Sequence, residues 1–386
     1  MIIGIPKEIK NHEYRVAATP EIVKELTDNG HIVNIQTNAG AAINYSNNDY
    51  IKSGANICET AKEVYKSELI LKVKEPIECE YDLLQNNQKL FCFFHMAANP
   101  ELAKILIKKK IASFAYESVT DRDNNFPLLA PMSEVAGKAA AFQAAFFLQA
   151  AHSGNGTLLN GANGADPAKV LILGAGISGS AACQTALGAG ADVTVLDINQ
   201  ARLEELKKQM EEYYPKNSLN IDISNSENIQ KYSTKTDALI GCVLLPGKST
   251  PKLISKDLIK QMKTGSVFID VSIDQGGCSE TSKITTHQNP TYVVDGVVHY
   301  CVANIPGAFA KTSTQALTQM TAPYINLLAD VPSIKELMHI NKNIINGLNT
   351  YNGFITDKVI ADDLNTSLDY MPILEVLKNQ KEKINS

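Results

Sequence analysis

Short apolar runs recur at regular intervals along the first third of the chain, separated by polar stretches of helical character. Residues 2–5 (IIGI), 31–37 (HIVNIQT), 68–73 (ELILKV), 89–95 (KLFCFFH) and 111–117 (IASFAYE) each have the length and composition of a strand. Thr19-Pro20-Glu21 predicts a helix start: the threonine can cap, proline suits the first turn, and the acid meets the positive end of the dipole. Gly30 closes that helix, and PELAKILIKKK (100–110) reads as another. Strands alternating with helices imply a parallel sheet covered on its faces.

From Ser133 to about Gln149 the pattern is a long helix rich in Ala and Phe, and the Gly/Asn-rich stretch 153–167 cannot continue it. A domain change is expected near this helix. A second series of strands follows: KVLIL (169–173), ADVTVLD (191–197), DALIGCV (237–243), SVFIDVSID (266–274) and TYVVDGVVHY (291–300). Residues 312–329 read as another long helix, and the remaining C-terminal stretch reads as helical without a core of its own. No internal repeat is evident.

The chain has 386 residues, 44% of them apolar and 20% charged, which is enough for two or three domains at about 150 residues each. With 36 basic and 41 acidic residues the net charge is −5, so no basic field is available to grip phosphate backbones, and nucleic acid is not expected as a partner. The first residues, MIIGIPKEIK, are interrupted by Pro6 and Lys7, unlike a secretory core region. The most apolar stretch, 135–151, is broken by Lys138, Gln143 and Gln149 before the ~18 residues that a membrane span requires. A cytoplasmic protein is expected. Seven scattered cysteines (Cys58, Cys79, Cys92, Cys183, Cys242, Cys278, Cys301) form no CxxC pair, so free thiols are expected and no metal site.

Candidate chemistry sits where apolar runs end. Gly174-Ala175-Gly176-Ile177-Ser178-Gly179 lies between a strand and a helix and matches GxGxxG. The first glycine permits the tight turn, the second admits phosphate to the backbone, and the third lets helix and strand pack closely. The next strand ends at Asp197, about 20 positions on, where a carboxylate accepts from a ribose 2′-hydroxyl and repels a 2′-phosphate. NAD is therefore expected over NADP.

In the first half, Lys74 follows ELILKV and His95 follows KLFCFF, and open α/β sheets bind ligands at the carboxyl ends of their strands. If those strands are neighbours, a proton-exchanging histidine and a carboxylate-holding lysine face one crevice. Singly, each also reads as an ordinary loop histidine or solvated lysine, and Arg15 as a surface arginine. Asp274, before Gln275-Gly276-Gly277, is placed to orient water, ammonia or a histidine. Asp270 reads better as a structural acid, and Cys278 has no evident base to activate it.

Taken together, these segments resemble the alanine dehydrogenases, a family related to the nucleotide-binding alpha component of proton-translocating transhydrogenases. The resemblance runs from residue 1 to about 375. It is carried by GIPKEIKNHEYRVAATP (4–20), LKVKEP (71–76), FFHMAANPEL (93–102), PLLAPMSEVAG (127–137), PAKVLILGAG (167–176), DQGGCSET (274–281), THQNPTYVVDGVVHYCVANIPGA (286–308) and LNTYNG (348–353). Reversible NAD-dependent oxidative deamination of L-alanine to pyruvate and ammonium is the activity it implies. It also implies Arg15 and Lys74 as substrate-binding groups, His95 as general acid/base and Asp274 as the second catalytic residue. Cofactor positions implied are Ser133, Gly174, Gly176, Ile177, Ser178, Gly179, Asp197, Arg202, Ser224, Val243, Leu244, Val271, Asp274, Val302, Asn304 and Ile305. The segment 207–222 is longer than the family pattern, which bears on Arg202 and Ser224, and Ile305 stands where the family commonly has methionine.

The expected architecture is α/β: two Rossmann-like parallel-sheet domains with an interdomain cleft. The NAD-binding domain, 129–305, is inserted into a discontinuous substrate domain made of 1–128 and 306–386, and a homohexamer is implied. The rival readings are a soluble transhydrogenase alpha-type component, which should lack the histidine, and a non-catalytic NAD-binding module, which should lack part of the catalytic set. A saccharopine-type enzyme of the same superfamily would differ in pocket size rather than motif.

Overall fold

The computed structural model describes residues 1–214, 219–243, 250–331, 333–364 and 369–384. Two compact units emerge: Met1–Met132 with Ala310–Ser386, and Ser133–Phe309. In chain order the strands are β1 (Ile2–Ile5), β2 (Ile32–Gln36), β3 (Asn56–Cys58), β4 (Leu69–Lys74), β5 (Lys89–Phe93), β6 (Ala112–Ala115), β7 (Lys169–Leu173), β8 (Asp192–Asp197), β9 (Leu219–Ile223), β10 (Ala238–Gly241), β11 (Val267–Asp270), β12 (Thr291–Val294), β13 (Val297–Tyr300), β14 (Leu348–Tyr351) and β15 (Phe354–Ile355).

The first unit is built on an eight-stranded sheet in the order β15-β14-β6-β5-β4-β1-β2-β3. Its six strands from β6 to β3 are mutually parallel, whereas β14 runs antiparallel to β6 and β15 to β14. Both faces are covered, so the strands read as continuous apolar runs rather than alternating ones. In β4, for example, Leu69, Leu71 and Val73 enter one core, and Ile70 enters the other. The first helix, Pro20–Asp28, starts as its sequence predicts, with Pro20 in the first turn and the Thr19 hydroxyl accepting from the Ile22 amide.

The second unit carries a seven-stranded sheet, β12-β13-β11-β10-β7-β8-β9, parallel except for β12. Here too both faces are packed: Val170 and Ile172 of β7 join one cluster, Leu171 and Leu173 the other. Three sequence expectations are corrected. TYVVDGVVHY is a hairpin, not one strand, because Asp295 and Gly296 take positive φ (47° and 83°) and turn the chain between β12 and β13. The strand expected to run to Asp274 stops at Asp270, whose carboxylate accepts the Ser272 amide at 3.1 Å and starts the 3₁₀ turn Val271–Gln275. The C-terminal stretch is not all helix, since β14 and β15 extend the first sheet beside β6.

Candidate active site

In the first sheet β4 and β5 are neighbours, and Lys74, the last residue of β4, is in register with Phe93, the last of β5. His95 follows two residues later. The strand order reverses between β1 and β4, which makes their carboxyl ends a topological switch point where open α/β sheets take ligands. Lys74 Nζ lies 3.4 Å from His95 Nε2, and the imidazole stacks on Phe93 with centroids 6.1 Å apart and planes at 12°. Although the ring reaches solvent, the surrounding protein and then the Lys74 ammonium hold its pKa well below the usual imidazole range. The histidine is therefore neutral at pH 7, with one ring nitrogen unprotonated.

Behind Lys74 lies a buried ionic network that the sequence reading did not assign. Lys72 is buried on β4, and its Nζ reaches Glu8 Oε2 at 3.2 Å and Glu80 Oε1 at 3.0 Å, while the Tyr65 hydroxyl donates to Glu80 at 2.7 Å. Burial opposes the charge on Lys72, but the two carboxylates outweigh it and raise its pKa. Glu8 Oε1 also accepts the Val73 amide at 2.6 Å and the Lys74 amide at 3.4 Å, at the point where the β4–β5 register is irregular. Lys10 forms an ion pair with the buried Glu75 on the same segment.

Arg15 is buried, with only 2% of its surface exposed, so it is not the surface arginine that composition allows. Glu13 grips it in a fork, Nε to Oε1 at 2.6 Å and Nη2 to Oε2 at 2.5 Å, and Nη1 lies 3.1 Å from Met132 Sδ. A guanidinium held this way keeps a fixed plane, which suits bidentate recognition of a carboxylate.

In the second unit, the cofactor candidates that are described cluster at the carboxyl ends of the strands of one sheet and in the first turn of the helix Ile177–Gly188, apart from Ser133 and Arg202 on two other helices. The turn after β7 holds Gly174 at φ +100°, and a Cβ there would stand 2.6 Å from the Cys242 carbonyl oxygen at the end of β10. Gly176 precedes the helix Ile177–Gly188, which has no side-chain cap, and a Cβ on it would meet nothing within 4 Å among the described residues. A Cβ on Gly179 would overlap the Gly174 carbonyl, so helix and strand touch there as the motif requires. This open, uncapped turn fits a pyrophosphate.

Asp197, buried at the end of β8, accepts the Ala175 amide at 2.7 Å and the Asn199 amide at 2.9 Å. These bonds fix a carboxylate beside the glycine turn, with Arg202 Nη1 at 3.8 Å and the Ser224 amide donating to its backbone oxygen at 2.9 Å. The Ser178 hydroxyl donates to the Ser133 carbonyl at 2.9 Å, and Gly137 lets that helix come so close that a Cβ would stand 2.8 Å from the Ser178 carbonyl carbon. Gly137 closes the PLLAPMSEVAG segment (127–137), and this close approach is what its missing side chain permits.

Asp274 is exposed on its 3₁₀ turn and accepts the Asn304 amide at 3.4 Å, which joins the turn after β11 to the segment after β13. Val271 is half-buried there, and Val302 and Ile305 are buried after β13. Val243 follows β10, and Leu244 lies outside the described residues. Asp270 is held by the Cys278 amide at 3.0 Å and by the Ser282 hydroxyl, the bonding expected of a structural acid.

Two family models match the chain: "Alanine dehydrogenase/PNT, N-terminal domain" over residues 4–136 and "Alanine dehydrogenase/PNT, C-terminal domain" over residues 140–358. The chain belongs to the alanine dehydrogenase/PNT family. Among curated relatives, an alanine dehydrogenase of Staphylococcus epidermidis is 45% identical over 379 residues, 98% of this chain and 100% of the relative. One from Methanococcus maripaludis is 47% identical over 363 residues, 94% of this chain and 96% of the relative. A solved L-alanine dehydrogenase superposes with a TM-score of 0.90 at 41% identity, covering 94% of this chain and 99% of its own. A transhydrogenase from Sinorhizobium meliloti shares the family's fold, with a TM-score of 0.80 at 22% identity over 92% of this chain and 99% of its own. The alanine dehydrogenase/PNT fold is thus common to both activities, and the site must choose between them.

Proposed function

We propose that this chain catalyses the reversible NAD-dependent oxidative deamination of L-alanine to pyruvate and ammonium, as an oxidoreductase acting on a CH–NH₂ group. The observation that carries the reading is the contact of His95 with Lys74 at the switch point of the first sheet, in a chain that aligns with alanine dehydrogenases over nearly its whole length. NAD, bound at the glycine turn of the second sheet, supplies the acceptor and, when reduced, the donor of hydride at the substrate carbon. Its proposed contacts are Ser133, Gly174, Gly176, Ile177, Ser178, Gly179, Asp197, Arg202, Ser224, Val243, Val271, Asp274, Val302, Asn304 and Ile305, with Leu244, which lies outside the described residues.

In this mechanism Arg15, with its plane fixed by Glu13, holds the substrate carboxylate. Lys74 contributes a second positive charge toward the carboxylate and the keto oxygen, which favours the polarised carbonyl. His95, neutral at pH 7, takes the proton as the carbonyl forms and returns it in the reverse direction. Asp274 orients the water or ammonia. We further propose the 133–309 unit as the NAD domain and the discontinuous unit as the substrate domain, and a homohexamer located in the cytoplasm. None of the described helices is long and apolar enough to cross a membrane.

The test is purified protein with NADH, ammonium and a panel of 2-oxo acids, followed by loss of NADH absorbance. Ammonium-dependent oxidation with pyruvate is expected. Tight NADH binding without turnover on any oxo acid would favour the transhydrogenase-like reading, and a monomeric mass in sedimentation would contradict the hexamer.

A further inference from the structure

His95 occupies a backbone conformation that it would not choose unaided. Its φ of 46° and ψ of 47° are left-handed, a region that is strained for a non-glycine residue and persists only where surrounding bonds impose it. The ladder cannot impose it, because the last pair of β5 with β6 is Cys92 with Ala115, and β5 itself ends at Phe93. The next two amides, those of Phe94 and His95, lie beyond the ladder.

Both amides go to one side chain. Glu117 stands two residues past the end of β6, in the 3₁₀ turn Tyr116–Ser118, and its carboxylate reaches across to the neighbouring strand. Oε1 accepts the His95 amide at 2.6 Å and the Phe94 amide at 3.0 Å, and Oε2 lies 3.3 Å from the Phe94 amide. The carbonyl side is held as well, since Asn99 Nδ2 donates to the Phe94 oxygen at 3.3 Å and to the His95 oxygen at 3.1 Å. The direction of the imidazole toward Lys74 Nζ therefore depends on where Glu117 holds these two peptides.

We propose that Glu117 is a positioning residue for the reaction, fixing the left-handed backbone that aims His95 at the substrate. This rests on the proposal that His95 is the acid/base. Glu117 touches no reacting atom. Its charge is not the operative property; an acceptor oxygen at the place of Oε1 is. Glutamine keeps that oxygen, and alanine removes it.

The experiment compares Glu117→Ala, Glu117→Gln, His95→Ala and the double variant His95→Ala/Glu117→Ala in the full-length protein, below the temperature at which any of them unfolds. Single-turnover NADH oxidation by pyruvate and ammonium at high enzyme concentration is measured beside NADH affinity. The expected result is a turnover loss of at least ~30-fold in Glu117→Ala with NADH affinity unchanged, and turnover within ~5-fold of the parent in Glu117→Gln. In the His95→Ala background the further change to alanine at 117 is expected to cost less than ~3-fold, because the group being aimed is gone. Three results would overturn the proposal: full turnover in Glu117→Ala, a loss in Glu117→Gln as deep as in Glu117→Ala, or a loss that multiplies in the double variant. Full activity in His95→Ala alone would instead remove the acid/base assignment on which it stands. A variant that fails to fold is replaced by Asn99→Ala, which releases the carbonyl side of the same peptides and must lower turnover with NADH affinity retained.

Discussion

Two glycines three residues apart should fail in opposite ways when each gains a methyl group. At Gly176 the backbone angles, φ −71° and ψ −171°, are open to any residue, and a Cβ would meet nothing within 4 Å among the described residues. Folding should therefore tolerate Gly176→Ala within about 1 kcal/mol. The same methyl group, however, stands where the pyrophosphate must approach the backbone, so NADH affinity should fall at least ~10-fold, equivalent to about 1.4 kcal/mol. At Gly179 a Cβ would overlap the Gly174 carbonyl, lying 2.8 Å from its carbon where about 3.5–4.0 Å is comfortable. The carbonyl oxygen lies nearer still, so strand-end turn and helix would have to part by more than about 1 Å, an overpacking cost of at least about 1–3 kcal/mol. At about 2–4 °C per kcal/mol, this should lower the unfolding temperature by several degrees. Differential scanning calorimetry without ligand and NADH titration by fluorescence read the two effects separately. Unchanged NADH affinity in Gly176→Ala would refute the placement of the cofactor on this turn, and an unshifted unfolding temperature in Gly179→Ala would refute the close packing.

His95→Ala should lose at least ~10²-fold in turnover while binding NADH normally, as steady-state kinetics and fluorescence titration would show. Because the folded imidazole resists protonation and the unfolded one takes a proton near ~6.5, stability falls in the parent as pH drops below that value. The variant should lack this loss, so a difference in unfolding temperature that stays constant through acid pH would contradict it. Lys72→Met would leave Glu8 and Glu80 buried without their cation and should cost about 3–5 kcal/mol, visible in thermal unfolding. An unfolding temperature matching the parent's would refute the network's role. Iodoacetamide on the native protein should label the exposed Cys79 first and the half-buried Cys58 more slowly, whose thiol burial pushes up. Peptide mapping that finds Cys92 or Cys278 labelled equally fast would contradict their burial.

The sequence made Lys74 and His95 conspicuous because each terminates an apolar run, and a polar group at a buried strand's carboxyl end has few structural reasons to be there. The glycine turn was legible because its spacing records backbone geometry directly. Strand β9 is harder to see, since LNIDI interleaves polar residues at a sheet edge and most of it is only half-buried, and the short β14 and β15 lie within a stretch that reads as helical until β6 is there to pair with β14. The Asp295-Gly296 turn was present in the letters but overridden by the apolar residues on both sides. Glu8, Glu13 and Glu117 were illegible for a different reason. Glu8 binds amides of β4 and Glu117 binds amides just past the end of β5, all remote in sequence, Glu13 acts on a guanidinium whose burial composition does not reveal, and so each looks like an ordinary surface acid until the sheet is assembled.

The most direct test of the central claim follows the atoms of the reaction. Protein incubated with pyruvate, NADH and ¹⁵N-ammonium should form ¹⁵N-alanine, detected by mass spectrometry, in one-to-one proportion with the NADH consumed. NADH consumption without labelled alanine, or no consumption despite tight NADH binding, would contradict the account.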